Sequence, residues 1–182
     1  MLEHLQAIVD SNVIDDVYID LDGVTADFMS ACLASGLEPD EFKHRPGSYL
    51  WLKPFPDALK AIELLRTAFP QRVWFLTKPP KGSPYAYGEK ALWVQEHLGD
   101  EGLDHLIITQ HKGKVGSTRS VLIDDRSHKG GVGEFRGTFI HFDSFPSQDF
   151  AARFELQPET PIGWGETLLI MNKLVGHGAH RD

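Results

Sequence analysis

The sequence predicts an α/β fold in which a mostly parallel sheet lies between layers of helix, with a short insertion after the first strand. The first observation behind this is a set of short apolar runs: Val17-Tyr18-Ile19, Val73-Trp74-Phe75-Leu76, Leu106-Ile107-Ile108, Val121-Leu122-Ile123 and Phe139-Ile140-His141-Phe142. They are near-continuously apolar rather than alternating, as strands buried on both faces are. The second is the helical periodicity between several of them. Ala58, Ile62, Leu65 and Phe69 recur at helix spacing, as do Ala91, Val94 and Leu98, and a closing helix is expected over Trp164 to Leu174. Strands alternating with helices in this way join as parallel neighbours, giving a three-layer sandwich.

The remaining elements follow in order. Phe28 to Leu50 leaves room for only a couple of short helices at about 1.5 Å of rise per residue, so the insertion is small. Residues 1–9 are expected to form an extra amphipathic helix, and Gln157 to Gly165, with its prolines and glycines, a loop. At 182 residues the whole chain, 1–182, is expected to be one domain carrying the 28–50 insertion.

Composition narrows the functional classes. A hydrophobic share of 41% with 24% charged residues is that of a folded globular protein, and a net charge of -8 argues against extended nucleic-acid binding through a basic face. A small anion needs only a few local cations and stays compatible with that charge. Cys32 is the only cysteine, so no intramolecular disulfide can form, which fits a reducing cytoplasm. The N-terminal MLEHLQAIVD reads as neither a signal peptide nor a membrane span.

In sheets of this kind ligands gather beyond the carboxyl ends of the strands. Those ends are polar here: Asp20-Leu21-Asp22-Gly23 after the first strand, Thr77-Lys78 after the second, Thr109 and Lys112-Gly113-Lys114 after the third, and Asp124-Asp125-Arg126 after the fourth. A single Asp at such a place is often a turn or helix cap. Asp20 and Asp22 together with Asp124 and Asp125 would repel one another unless a cation lay among them. An all-oxygen set suits Mg²⁺. A hydroxyl at Thr77 and an ammonium at Lys114 suit the oxygens of a phosphoryl group, with Lys112 either a second phosphate contact or an ordinary surface charge.

The run Asp20-Leu21-Asp22-Gly23-Val24-Thr25 resembles the first motif of the haloacid dehalogenase superfamily; Thr77, Lys114 and Asp124-Asp125 resemble the second, third and fourth, in order, over roughly residues 16–143. The resemblance implies a Rossmann-like core with a short cap, and a Mg²⁺-dependent phosphatase working through an aspartyl-phosphate. In it Asp20 is the nucleophile and Asp22 the general acid and then base. Asp20, the main-chain carbonyl of Asp22 and the Asp124–Asp125 pair hold Mg²⁺, and the pattern leaves open which of that pair touches it directly.

Within the superfamily the chain is most similar to the 5′(3′)-deoxyribonucleotidases, through Leu52-Lys53-Pro54-Phe55-Pro56-Asp57-Ala58, Glu89-Lys90-Ala91-Leu92-Trp93-Val94 and Ile123-Asp124-Asp125-Arg126. That likeness implies a nucleoside monophosphate as substrate and brings Lys90 into the site. Where that family carries a small residue after the second-motif Thr, this chain has Lys78, a further phosphate contact or a solvated charge. Phe28, Tyr49 and Trp51 are the aromatics available to a base. The expected partner is thus a small phosphorylated molecule, with a homodimer admitted and no membrane. Alternatives are a sugar phosphate, a polynucleotide end, or a non-catalytic module that keeps the fold. His128-Lys129-Gly130-Gly131-Val132-Gly133 lacks the setting of a P-loop and reads as a flexible loop, and the histidines of the terminal Gly176-His177-Gly178-Ala179-His180 read as a frayed tail.

Overall fold

The computed structural model of the chain describes residues 13–142 and 163–178. The expected amino-terminal helix, the 157–162 part of the expected loop and residues 179–182 of the tail lie outside the described residues. The apolar runs become β1 (Val17–Ile19), β2 (Val73–Thr77), β3 (Leu106–Ile108), β4 (Val121–Asp124) and β5 (Thr138–His141). The helices are α1 (Phe28–Ser35), α2 (Pro39–Phe42), α3 (Ala58–Ala68), α4 (Tyr85–Asp104) and α5 (Trp164–Gly178). The strands lie in the order β3-β2-β1-β4-β5, and every pairing is parallel.

That order follows from the connections. α3 and α4 carry the chain from β1 to β2 to β3 on one side, and β4 then returns to the other side of β1. The direction of winding therefore reverses between β1 and β4, where α/β sheets open a crevice at their carboxyl ends. Ile19 is in register with Ile123, so the residues that follow each of them emerge side by side.

The two faces of the sheet are covered differently. Val17, Ile19, Phe75, Val121, Ile123 and Ile140 share one buried cluster with Ile62 and Leu65 of α3, Trp93 and Val94 of α4, and Leu168 and Met171 of α5. On the opposite face Tyr18, Leu76 and Leu122 pack with Val132, flanked by Val115, Phe135 and Phe139. Among the described residues this second layer is made of loops and two 3₁₀ turns, Lys112–Lys114 and Val132–Glu134.

The insertion has its own small aromatic centre. Asp27 caps α1 by accepting from the Ser30 amide at 3.0 Å, Gly36 ends it with φ +70°, and Pro39 opens α2. The Phe28 ring lies edge-on to Phe42 (5.1 Å between centroids) and beside Tyr49 at 5.9 Å. In α4 the helical run breaks at Gly99, with φ +71°.

Trp164 ties α5 to the loop after β1. Its indole N–H donates to the carbonyl oxygen of Val24 at 3.1 Å, and its ring packs on Phe142 at 5.4 Å. Replacing it with Phe removes a buried donor and leaves that carbonyl without its partner. Trp164→Phe is expected to lower the unfolding free energy by about 1–3 kcal/mol in urea titrations. An unchanged midpoint would show that the carbonyl is satisfied another way.

Candidate active site

The site begins as a continuation of the β1–β4 ladder. The Asp20 amide donates to the Ile123 carbonyl at 2.9 Å, which sets Asp20 beside Asp124. The chain then folds back: the carbonyl of Leu21 accepts from the amides of Thr25 (2.8 Å) and Ala26 (2.7 Å), and the Thr25 hydroxyl donates to the Asp20 carbonyl at 2.8 Å. Gly23 sits at φ +85°, and a Cβ there would fall 2.5 Å from Oδ2 of Asp125. Only glycine satisfies both the backbone angle and that approach.

One carboxylate oxygen from each of Asp20, Asp124 and Asp125 lies within 4.8 Å of the others. Lys112 stands among them, its Nζ 2.7 Å from Oδ1 of Asp20 and 2.6 Å from Oδ2 of Asp124, and it is almost wholly buried. Burial opposes its charge, but Asp20 and Asp124 outweigh that and hold its pKa above the ordinary lysine value. Asp124 Oδ1 accepts from the Arg126 amide at 2.9 Å. Burial, aided by the charge of Asp20, pushes Asp124 up to about 7 and Asp125 up to about 6.

The donor set fits a hard divalent cation. Oδ1 of Asp125 is buried without a hydrogen-bond partner, a costly state for a carboxylate oxygen that a bound cation would relieve. Asp20 and Asp124 bring one carboxylate oxygen each within 4.8 Å of Asp125, at the winding reversal of the sheet.

Asp22 is turned away from this trio. Its Oδ2 pairs with the ammonium of Lys90, which also donates to the Thr77 hydroxyl at 3.2 Å and lies 4.3 Å from the centre of the Tyr49 ring. Burial raises the pKa of Asp22, with Lys90 opposing the rise. Thr77, wholly buried, ends β2. Asp22 lines a cleft of about 670 Å³, shared with Phe28, Tyr49 and the half-buried Lys78.

One expectation is corrected. Lys114, expected at the phosphate, projects away, 72% exposed, and pairs with Glu134 at 2.6 Å; Lys112 occupies the place beside the acids. The two lysines fall on different sides of one 3₁₀ turn, and sequence order alone does not say which side faces the sheet edge. Of the aromatics available to a base or to the core, Phe28 and Tyr49 are buried and line the cleft, whereas Trp51 is 80% exposed and does neither.

Sequence reasoning missed the support beneath Lys112. The Lys112 amide donates to the Gly130 carbonyl at 2.8 Å, and a Cβ on Gly113 would sit 2.0 Å from the carbonyl oxygen of Gly131. The glycine-rich run after Arg126 is thus a packed ledge rather than a free loop. Its signal was the pairing of Gly113 with Gly130-Gly131, glycines required where two backbones meet. Glu89 was also missed: it is buried and accepts from the amides of Gly47 (2.6 Å) and Tyr49 (3.2 Å).

Comparison with known proteins bears on this arrangement. The family model described as 5′ nucleotidase, deoxy (pyrimidine), cytosolic type C protein matches residues 40–155. A protein of Vibrio phage KVP40 that carries the 5′(3′)-deoxyribonucleotidase name is 36% identical over 137 residues, covering 71% of this chain and 78% of its own. The chain belongs to the 5′(3′)-deoxyribonucleotidase family. A Bordetella bronchiseptica member by name is 30% identical over 163 residues (73% of this chain, 86% of its own). The human cytosolic 5′(3′)-deoxyribonucleotidase is 28% identical over 142 residues (60% and 70%). Members of this family lie within the haloacid dehalogenase superfamily, and the chain is a phosphoric monoester hydrolase.

The two lysines should separate cleanly. Lys112→Met is expected to lower kcat/KM by about 10²-fold or more, since the buried cation that bridges Asp20 and Asp124 is lost. Lys114→Met should leave kcat/KM within about twofold, its ion pair being solvent-exposed. The reverse order of effects would overturn the placement.

The acids give a pH dependence. Asp124 and Asp125, raised above the ordinary aspartate value, stabilise the cation-free protein below about pH 4, and that contribution is lost as pH rises through about 6 to 7. A divalent cation that takes the ionised carboxylates restores stability in the same window. The gain in Tm on adding Mg²⁺ to EDTA-treated protein is therefore expected to be larger at pH 8 than at pH 5, read by thermal unfolding.

Proposed function

We propose that this chain is a Mg²⁺-dependent nucleotidase, cytoplasmic in setting, that hydrolyses deoxyribonucleoside monophosphates. The observation that carries the reading is the buried, partnerless Asp125 Oδ1 beside Asp20 and Lys112, a pocket of opposed charges that a cation and a phosphoryl group would complete. The family relatives are named for deoxyribonucleotides, which supports the leaving group. The single buried cysteine, Cys32, supports a reducing compartment.

In this mechanism the carboxylate of Asp20 attacks phosphorus, the bond to the nucleoside oxygen breaks, and Asp22 gives that oxygen its proton. Asp22 then takes a proton from water as the water attacks the aspartyl-phosphate, releasing phosphate and restoring Asp20. Lys112 and Thr77 hold phosphoryl oxygens, with Lys78 at the outer edge. Asp20, the Asp22 main-chain carbonyl and the Asp124–Asp125 pair would hold Mg²⁺, which when bound would supply positive charge for the phosphoryl group. Residues 28–50 act as a cap within one domain, with Phe28 and Tyr49 as the wall nearest the nucleoside.

A second reading has one specific observation in its favour. Lys78, Lys81 and Lys129 line the same cleft and make no ion pair among the described residues, so its rim would also suit the backbone of a polynucleotide 5′ end. Phosphate release from a phosphorylated oligonucleotide, set against a monophosphate, separates the two.

Asp20→Asn is expected to keep the fold and lose nearly all turnover; retention of more than a few per cent of the wild-type rate would remove Asp20 as nucleophile. In a phosphate-release screen of deoxyribonucleoside monophosphates and sugar phosphates, the nucleotides should lead. Their kcat/KM values should fall within about tenfold of one another, roughly 1.4 kcal/mol, because so short a cap offers few buried polar contacts to a base. A sugar phosphate preferred over every nucleotide would overturn the substrate assignment.

A further inference from the structure

We propose that Glu89 and Lys90 are positioning residues: Lys90 fixes the carboxyl of Asp22 in the orientation that serves the leaving group, and Glu89 holds the strap from the insertion over that contact. The inference rests on the reading of Asp22 as general acid.

Lys90 is 1% exposed. Its ammonium is taken up by Oδ2 of Asp22, the Thr77 hydroxyl and the face of the Tyr49 ring, which leaves no open side for a substrate. Asp22, by contrast, keeps 23% of its side chain exposed and lines the cleft. The ammonium pins the carboxyl through one oxygen and leaves the other, Oδ1, without a hydrogen bond among the described residues. A group that hands a proton to a leaving oxygen needs this arrangement, with one oxygen anchored and one available, because proton transfer depends on geometry before anything else.

Glu89, one residue earlier on α4, holds the other side of the contact. Its two oxygens accept from the amides of Gly47 and Tyr49, and one turn further along, Trp93 donates its indole N–H to the Leu52 carbonyl at 2.8 Å. Helix α4 therefore grips the strap 47–52 at three backbone groups, and that grip lays the Tyr49 ring over the Lys90 ammonium. Adjacent acidic and basic side chains on a buried helix face are costly unless each is paired. Here one pair leads to the acid and the other to the strap.

The test uses leaving groups. A nitrophenolate departs without a proton, whereas a nucleoside oxygen needs one. With Mg²⁺ present, kcat/KM is measured for a deoxyribonucleoside 5′-monophosphate and for p-nitrophenyl phosphate. This parameter covers steps only through departure of the leaving group, and the ratio of the two values does not depend on what fraction of a preparation is folded. Asp22→Asn and Lys90→Met are each expected to lower the nucleotide-to-nitrophenyl ratio by about tenfold or more, and Glu89→Gln to lower it by a smaller factor. A ratio that falls in Asp22→Asn but stays at the wild-type value in Lys90→Met overturns the role of Lys90 and leaves the mechanism standing. A ratio unchanged in Asp22→Asn removes the acid itself, and this inference with it. An unchanged ratio in Glu89→Gln alone removes Glu89 from the device.

Discussion

Lys112 is the group on which the rest of this site depends. Three carboxylates brought this close, with at least two of them pushed toward neutrality by burial, are tolerable only with positive charge among them. Its ammonium, bridging Asp20 and Asp124, supplies that charge from within the chain. The sheet supplies the proximity, since the in-register pairing of Ile19 with Ile123 leaves no other place for the residues that follow them. The lysine must in turn be carried to that edge by a short turn resting on glycines. Sheet topology, the glycine ledge and the charge balance are thus one constraint seen at three scales.

The fold was legible because its signal is repeated. Five apolar runs each became a strand, and the helix spacings between them became α3, α4 and α5, since apolar periodicity reports burial directly. Asp20, Asp22, Thr77 and Asp124 were legible for a related reason: each lies at or within a few residues of a strand end, where position along the chain nearly fixes position in space. Lys112 and Lys114 were not. They sit two residues apart in a tight turn, so rotation about the turn axis decides which faces the acids, and that rotation is set by Gly113 meeting Gly131 rather than by anything local to the lysines. The thin second layer was illegible too, because a loop that covers a sheet face through Val115, Val132 and Phe135 has no period to read.

The carboxylate trio and the half of the site around Asp22 are built differently. Asp20, Asp124 and Asp125 belong to the sheet edge, held by ladder hydrogen bonds and the tight turn at Gly23. Asp22 instead looks toward α4 and the insertion. A change in the insertion therefore reaches Asp22 through Tyr49 and Lys90 without passing through the carboxylate trio. Variation in the cap and constancy at the sheet edge are physically separable in this architecture.

The glycine ledge also ties function to local stability. The segment that supports Lys112 contributes Val132 and Phe135 to the cover over Tyr18, Leu76 and Leu122. Lifting it would wet that side of the sheet and release Lys112 from its seat in a single motion. The amides of Lys112 and Glu134, bonded to Gly130 and Gly131, and the charge balance of the site would then share one opening event, so that hydrogen exchange in the ledge reports on the integrity of the reaction centre.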